Sequence, residues 1–101
     1  MGGLAAREGD GYTTGHLCTT ESTLDTPSQN KVTIQGELAA RLTDKGKTHT
    51  MGLDPPCVNH TPAISGSSTK VTIADNLAAR KSDSIDSDKI STGASKVTIG
   101  D

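Results

Sequence analysis

Apolar residues in this chain fall in short clusters separated by long polar stretches, and the clusters recur. The string Lys-Val-Thr-Ile occurs at Lys31–Ile34, Lys70–Ile73 and Lys96–Ile99. A second string, Leu-Ala-Ala-Arg, occurs at Leu4–Arg7, Leu38–Arg41 and Leu77–Arg80, with Asp10, Asp44 and Asp83 three positions beyond each arginine. Nine residues separate Val32 from Arg41, and nine separate Val71 from Arg80. The unit therefore reads Val-Thr-Ile-x-x-x-Leu-Ala-Ala-Arg-x-x-Asp. It is circularly permuted: one half-unit lies at Leu4–Asp10 and the complementary half at Val97–Asp101. Repetition at a fixed spacing signals a repeat architecture. A three-fold arrangement places the C-terminal strand beside the N-terminal segment and closes a ring.

Within each unit, Val-Thr-Ile is β-branched and alternates with lysine, which suits a short strand with one wet face. Gln35-Gly36 and Ala74-Asp75-Asn76 supply turn chemistry directly after it. Leu-Ala-Ala-Arg is then the return strand of a hairpin. The competing reading is a short helix, since leucine, alanine and arginine are good helix formers; alone it would be marginal. Alanines at the same place in all three units predict crowding where the hairpins converge. The Arg and Asp three apart read either as solvated surface pairs of little worth or, given their recurrence, as structural ties. The segments between units, 11–30, 45–69 and 84–95, are rich in Thr, Ser, Gly, Asp and Pro and read as loops.

Composition makes a conventional core difficult. The 101 residues contain no Trp or Phe, a single tyrosine, Tyr12, and only 17 Leu, Ile and Val. Disorder usually combines such low hydrophobicity with high net charge, yet the formal net charge is −2. The expectation is one domain over residues 1–101, held together by a metal, a disulfide or a partner's surface. No stretch approaches the ~18 apolar residues of a membrane-spanning helix. The opening residues have neither the apolar run of a secretory leader nor a full myristoylation signal. Ten basic residues against 12 acidic ones, with no basic block and no stacking aromatics, give no basis for nucleic-acid binding.

Every cysteine and histidine lies in one of two windows, His16-Leu17-Cys18 and His49 through Cys57 to His60, both between units. His-x-Cys and Cys-x2-His spacings let two side chains reach one ion from a turn, and mixed thiolate–imidazole donors favour zinc over magnesium or calcium, with iron an alternative. The chosen ligands are His16, His49, Cys57 and His60, with Cys18 in reserve. A Cys18–Cys57 disulfide with three surface histidines, and free thiols with free histidines, are the rival readings. Sequence signatures of hydrolases, zinc proteases, P-loops and dinucleotide sites are absent, so no enzymatic activity is expected.

The motifs Gly2-Gly3-Leu4-Ala5-Ala6-Arg7-Glu8-Gly9-Asp10, Leu38-Ala39-Ala40-Arg41, Leu77-Ala78-Ala79-Arg80 and Ser65-Gly66-Ser67-Ser68-Thr69-Lys70-Val71-Thr72-Ile73 together resemble the PAAR-repeat proteins across nearly the whole chain. Leu4, Leu38 and Leu77 stand where that family often has proline, and Thr43-Asp44 and Ser82-Asp83 replace its Gly-Asp pair. The resemblance implies an all-β, cone-shaped fold of three hairpin repeats with pseudo-three-fold symmetry and a zinc near the apex. His16, His49, Cys57 and His60 are the positions that best match the family's ligand set. It implies a structural, membrane-piercing tip, one copy per trimeric β-helical spike, on the central spike of a contractile phage tail baseplate. The alternatives are the spike tip of a type VI secretion system or a small zinc-stapled interaction module. Val32, Ile34, Val71, Ile73, Val97 and Ile99 would serve the centre and base of the cone, facing the spike. The last strand runs to Asp101 with no toxin extension, which favours the phage setting; contact with a target cell envelope would be transient.

Overall fold

The computed structural model describes residues 3–16, 18–51 and 58–100. Among them there is no helix; the elements are twelve strands of two or three residues, paired antiparallel in six two-stranded ladders. In the first set, β4 (Thr33–Ile34) pairs with β5 (Glu37–Leu38), and β8 (Thr72–Ile73) pairs with β9 (Asn76–Leu77). The split unit is rejoined in the same way: β1 (Gly3–Leu4) pairs with β12 (Thr98–Ile99), Gly3 opposite Ile99 and Leu4 opposite Thr98. Gln35 and Gly36 have φ of 49° and 87°, and Ala74 and Asp75 have 48° and 71°. Two successive positive φ values suit the type I′ geometry that matches strand twist in two-residue hairpins.

The segments between units are not simple loops. Each contains a second hairpin: β2 (Gly11–Thr13) with β3 (Glu21–Thr23), β6 (His49–Met51) with β7 (Val58–His60), and β10 (Ser84–Ile85) with β11 (Asp88–Lys89). Their Ser-, Thr- and Gly-rich strands carry little hydrophobic alternation. Pairing here is set by neighbouring backbone, as the isolated bridges Tyr12–Ile90, Leu24–Gly46 and Ile64–Ile85 show.

The alanines close a ring. Ala6 N–H donates to Ala79 O (3.0 Å), Ala79 N–H to Ala40 O (3.1 Å), and Ala40 N–H to Ala6 O (3.0 Å). All six repeat alanines, at 5, 6, 39, 40, 78 and 79, are at most 1% exposed. Complete burial where the three hairpins meet gives the repeated alanines a steric reason, since a larger side chain would have to displace packed neighbours. The ring separates two apolar clusters. One joins Ala5, Ala39, Ala78, Ala94, Ile73 and Ile99, with Val32, Ile34, Val71 and Val97 packed against it. The other joins Ala6, Ala40 and Ala79 to Tyr12, Leu24, Ile64, Ile85 and Ile90.

Each Arg–Asp pair is a structural tie, not a surface ornament. Asp10, Asp44 and Asp83 each accept the backbone N–H of Arg7, Arg41 and Arg80 at 2.7–2.8 Å. The arginines then reach outward to a carbonyl in the next hairpin: Arg7 to Gln35 O, Arg41 to Ala74 O, and Arg80 to Gly100 O. The turn between Arg and Asp puts Gly9, Thr43 and Ser82 at φ of 86°, 74° and 78°. Threonine and serine thus hold a left-handed conformation that glycine adopts freely, at a cost of roughly 1–2 kcal/mol each.

Candidate metal centre

Three histidines and one aspartate meet in a single cluster: His16, His49, His60 and Asp86, whose potential ligand atoms all lie within 4.8 Å of one another. Each of the three inter-unit segments contributes. His16 follows β2, in a turn held by Thr14, whose Oγ1 accepts the His16 backbone N–H at 3.0 Å. Gly15, at φ 76°, brings this turn against the Asp86 segment; a Cβ there would lie 2.8 Å from Ser87 Cβ. His49 opens β6 and stands directly opposite His60, which closes β7. This cross-strand register puts both imidazoles on one face, with ring centroids 5.2 Å apart. Asp86 occupies the β10–β11 turn at φ 59°, a left-handed position that aspartate tolerates better than most residues.

The imidazoles converge on the carboxylate by Nε2. Asp86 Oδ1 lies 2.7 Å from His16 Nε2 and 3.0 Å from His60 Nε2, and Oδ2 lies 2.9 Å from His49 Nε2. The side chains of His49 and Asp86 are only 3% and 4% exposed. Burial raises the Asp86 carboxyl pKa, but hydrogen bonds from His16 and His60, with the charge on those rings, bring it below its ordinary value.

Do these residues fit a metal? His49 Nε2 and Asp86 Oδ2 are close, yet their alignment makes no hydrogen bond, and both are buried without any such partner. Orphaned buried polar atoms are costly and call for an explanation. A cation bound by the three Nε2 lone pairs and the carboxylate satisfies both atoms at once. Three nitrogens and one oxygen form a four-donor set suited to zinc or another first-row transition ion, not to the all-oxygen sites of magnesium or calcium. The residues therefore fit the group.

Of the ligands read from the sequence, His16, His49 and His60 come together here. Cys57 lies outside the described residues. Cys18 is disulfide-bonded and is not one of the four clustered groups. Asp86 escaped the sequence reading because the third segment has neither Cys nor His. The available signal was the three-unit logic itself: if two inter-unit segments supply ligands, the third is expected to do so, and its turn carries an aspartate. Among the six aliphatic positions assigned to the base, Ile73 and Ile99 are buried and the other four only partly so.

No protein-family model matches the chain, and comparison with curated proteins gives no match.

Proposed function

We propose that this chain is a spike tip of the PAAR-repeat kind: a cone with pseudo-three-fold symmetry, stapled at its narrow end by a metal, that caps a trimeric β-helical spike. The reading rests above all on the closed hydrogen-bond ring Ala6–Ala79–Ala40, which joins three like hairpins of one chain around a common centre. A single chain built this way offers three equivalent edges to a three-chain shaft without a symmetry mismatch. Unpaired strand edges provide backbone donors and acceptors that continue a partner's strands. Val32, Ile34, Val71 and Val97, partly buried on the cluster below the ring, supply apolar contact on the same side.

On the opposite side of the ring, beyond the cluster around Tyr12, Leu24, Ile64, Ile85 and Ile90, the histidines and Asp86 form a polar cluster that a metal would staple efficiently. Structural zinc contributes on the order of 10 kcal/mol in small peptides, against about 1.5–3 kcal/mol for a buried aliphatic side chain. Zinc is the preferred ion and iron the alternative, held by His16, His49, His60 and Asp86. The function is mechanical, with no turnover: a stiff point concentrates force so that the spike of a contractile phage tail breaches the cell envelope.

The test is stoichiometry. Native mass spectrometry of the chain co-expressed with a trimeric β-helical spike protein should show one copy per three spike chains and one metal ion per copy. A ratio of one copy per spike chain, or no complex at all, overturns the tip reading.

A further inference from the structure

Tyr12 is the only tyrosine in a chain without Phe or Trp, and it is completely buried between the alanine ring and the histidines. Its hydroxyl lies 3.0 Å from His49 Nδ1 and donates to Lys47 O at 3.3 Å. The two rings pack at 5.9 Å, tilted by 56°. Room for this phenol is made by Gly46. A Cβ at Gly46 would lie 2.5 Å from the Tyr12 hydroxyl oxygen and 2.6 Å from its Cε1. Tyr12, Gly46 and Ile85 each lie two residues beyond the repeat aspartates Asp10, Asp44 and Asp83. The three units thus place a large, an absent and a medium side chain at one level, and the arrangement spends that asymmetry on one phenol against one histidine.

We propose that Tyr12 is a positioning residue for the metal centre, fixing the tautomer and orientation of His49 through its hydroxyl. With the phenol proton directed to Lys47 O, the hydroxyl oxygen accepts Nδ1–H of His49. That hydrogen bond leaves the Nε2 lone pair free and aimed at the cluster. Metal-bound histidines characteristically donate their second N–H to such a partner, and losing it costs roughly 10–100-fold in metal affinity. Lys47 O is the alternative acceptor for Nδ1, but at 3.4 Å it is the longer contact. His49 has the least exposed of the three histidine side chains. This inference rests on the metal reading above.

The test is zinc affinity of the full chain by chelator competition, wild type against Tyr12→Phe, which keeps the ring and removes the hydroxyl. A 10–100-fold weaker affinity, with the fold of the metal-free variant retained by circular dichroism, is the expected result. An affinity within about twofold of wild type overturns the proposal, because the ring alone then suffices. If Tyr12→Phe does not fold, long-range 1H–15N spectra of the zinc-loaded wild type decide. Nδ1 protonated and Nε2 metal-bound at His49 supports the assignment; the reverse overturns it. Wild-type protein whose histidine signals ignore zinc overturns the metal reading instead, a separable outcome.

Discussion

The repeated layer and the histidine layer of this molecule are stabilised in opposite ways. In the repeated layer each interaction exists in triplicate: the alanine hydrogen bonds, the Arg–Asp turns, and the carbonyl contacts to the next hairpin. Every member uses backbone or a side chain common to all units. In the histidine layer no residue is repeated at its equivalent position. One segment gives His16, the second gives His49 and His60, and the third gives Asp86. The first layer is a distributed lattice of ordinary bonds; the second gathers three histidines and one aspartate into one cluster that could hold an ion.

Removing the metal should break this contrast most sharply. Chelation is expected to cost the histidine layer on the order of 10 kcal/mol of binding energy. Amide exchange should then accelerate at His49, Thr50 and Asn59, while Ala6, Ala40 and Ala79 stay protected. Uniform loss of protection would show that the two layers form one cooperative unit.

The converse perturbation is Ala40→Leu, which overpacks a site that is 1% exposed. It should destabilise the fold by about 1–3 kcal/mol or more, read from denaturant midpoints at saturating zinc. No change would mean that the alanine ring is not close-packed.

A third prediction concerns acid. In metal-free protein, the lowered pKa of Asp86 means that its contribution is present above the ordinary carboxylate pKa, near 4. That contribution is lost as pH falls through the lowered folded-state value. Asp86→Asn should flatten this acid limb in pH-dependent melting while also weakening zinc binding. An unchanged limb would assign the acid sensitivity to other carboxylates.

The smallest effect sharpens the repeated layer. Thr43→Gly relieves a left-handed φ of 74°, and after the backbone entropy of glycine is subtracted it should stabilise by about 0.5–1 kcal/mol. Thr43→Ala should not, since alanine retains the Cβ.

The hairpins β4–β5, β8–β9 and β12–β1 were legible because β-branched strings, turn residues and a fixed nine-residue spacing are local signals. So were the three histidines, whose chemistry is uncommon enough to single out. The second set of hairpins was not legible: Glu21–Thr23 and Ser84–Ile85 have no hydrophobic alternation to announce the pairing. For Arg41 and Asp44 the sequence left a surface pair and a structural tie both open, and packing decided it by burying both. Asp86 was one aspartate among many, and it lies 70 residues from His16 and 26 from His60.

Residue pattern by itself determined an all-β chain of three like units with histidines gathered between them, because strand propensity, turn chemistry and repetition act over a few residues. Which carboxylate faces those histidines, why glycine stands at 46, and what the lone tyrosine touches were decided only by the tertiary structure. Those contacts join segments far apart in the chain, and distance along a sequence carries no information about which of many similar polar groups will share a buried space.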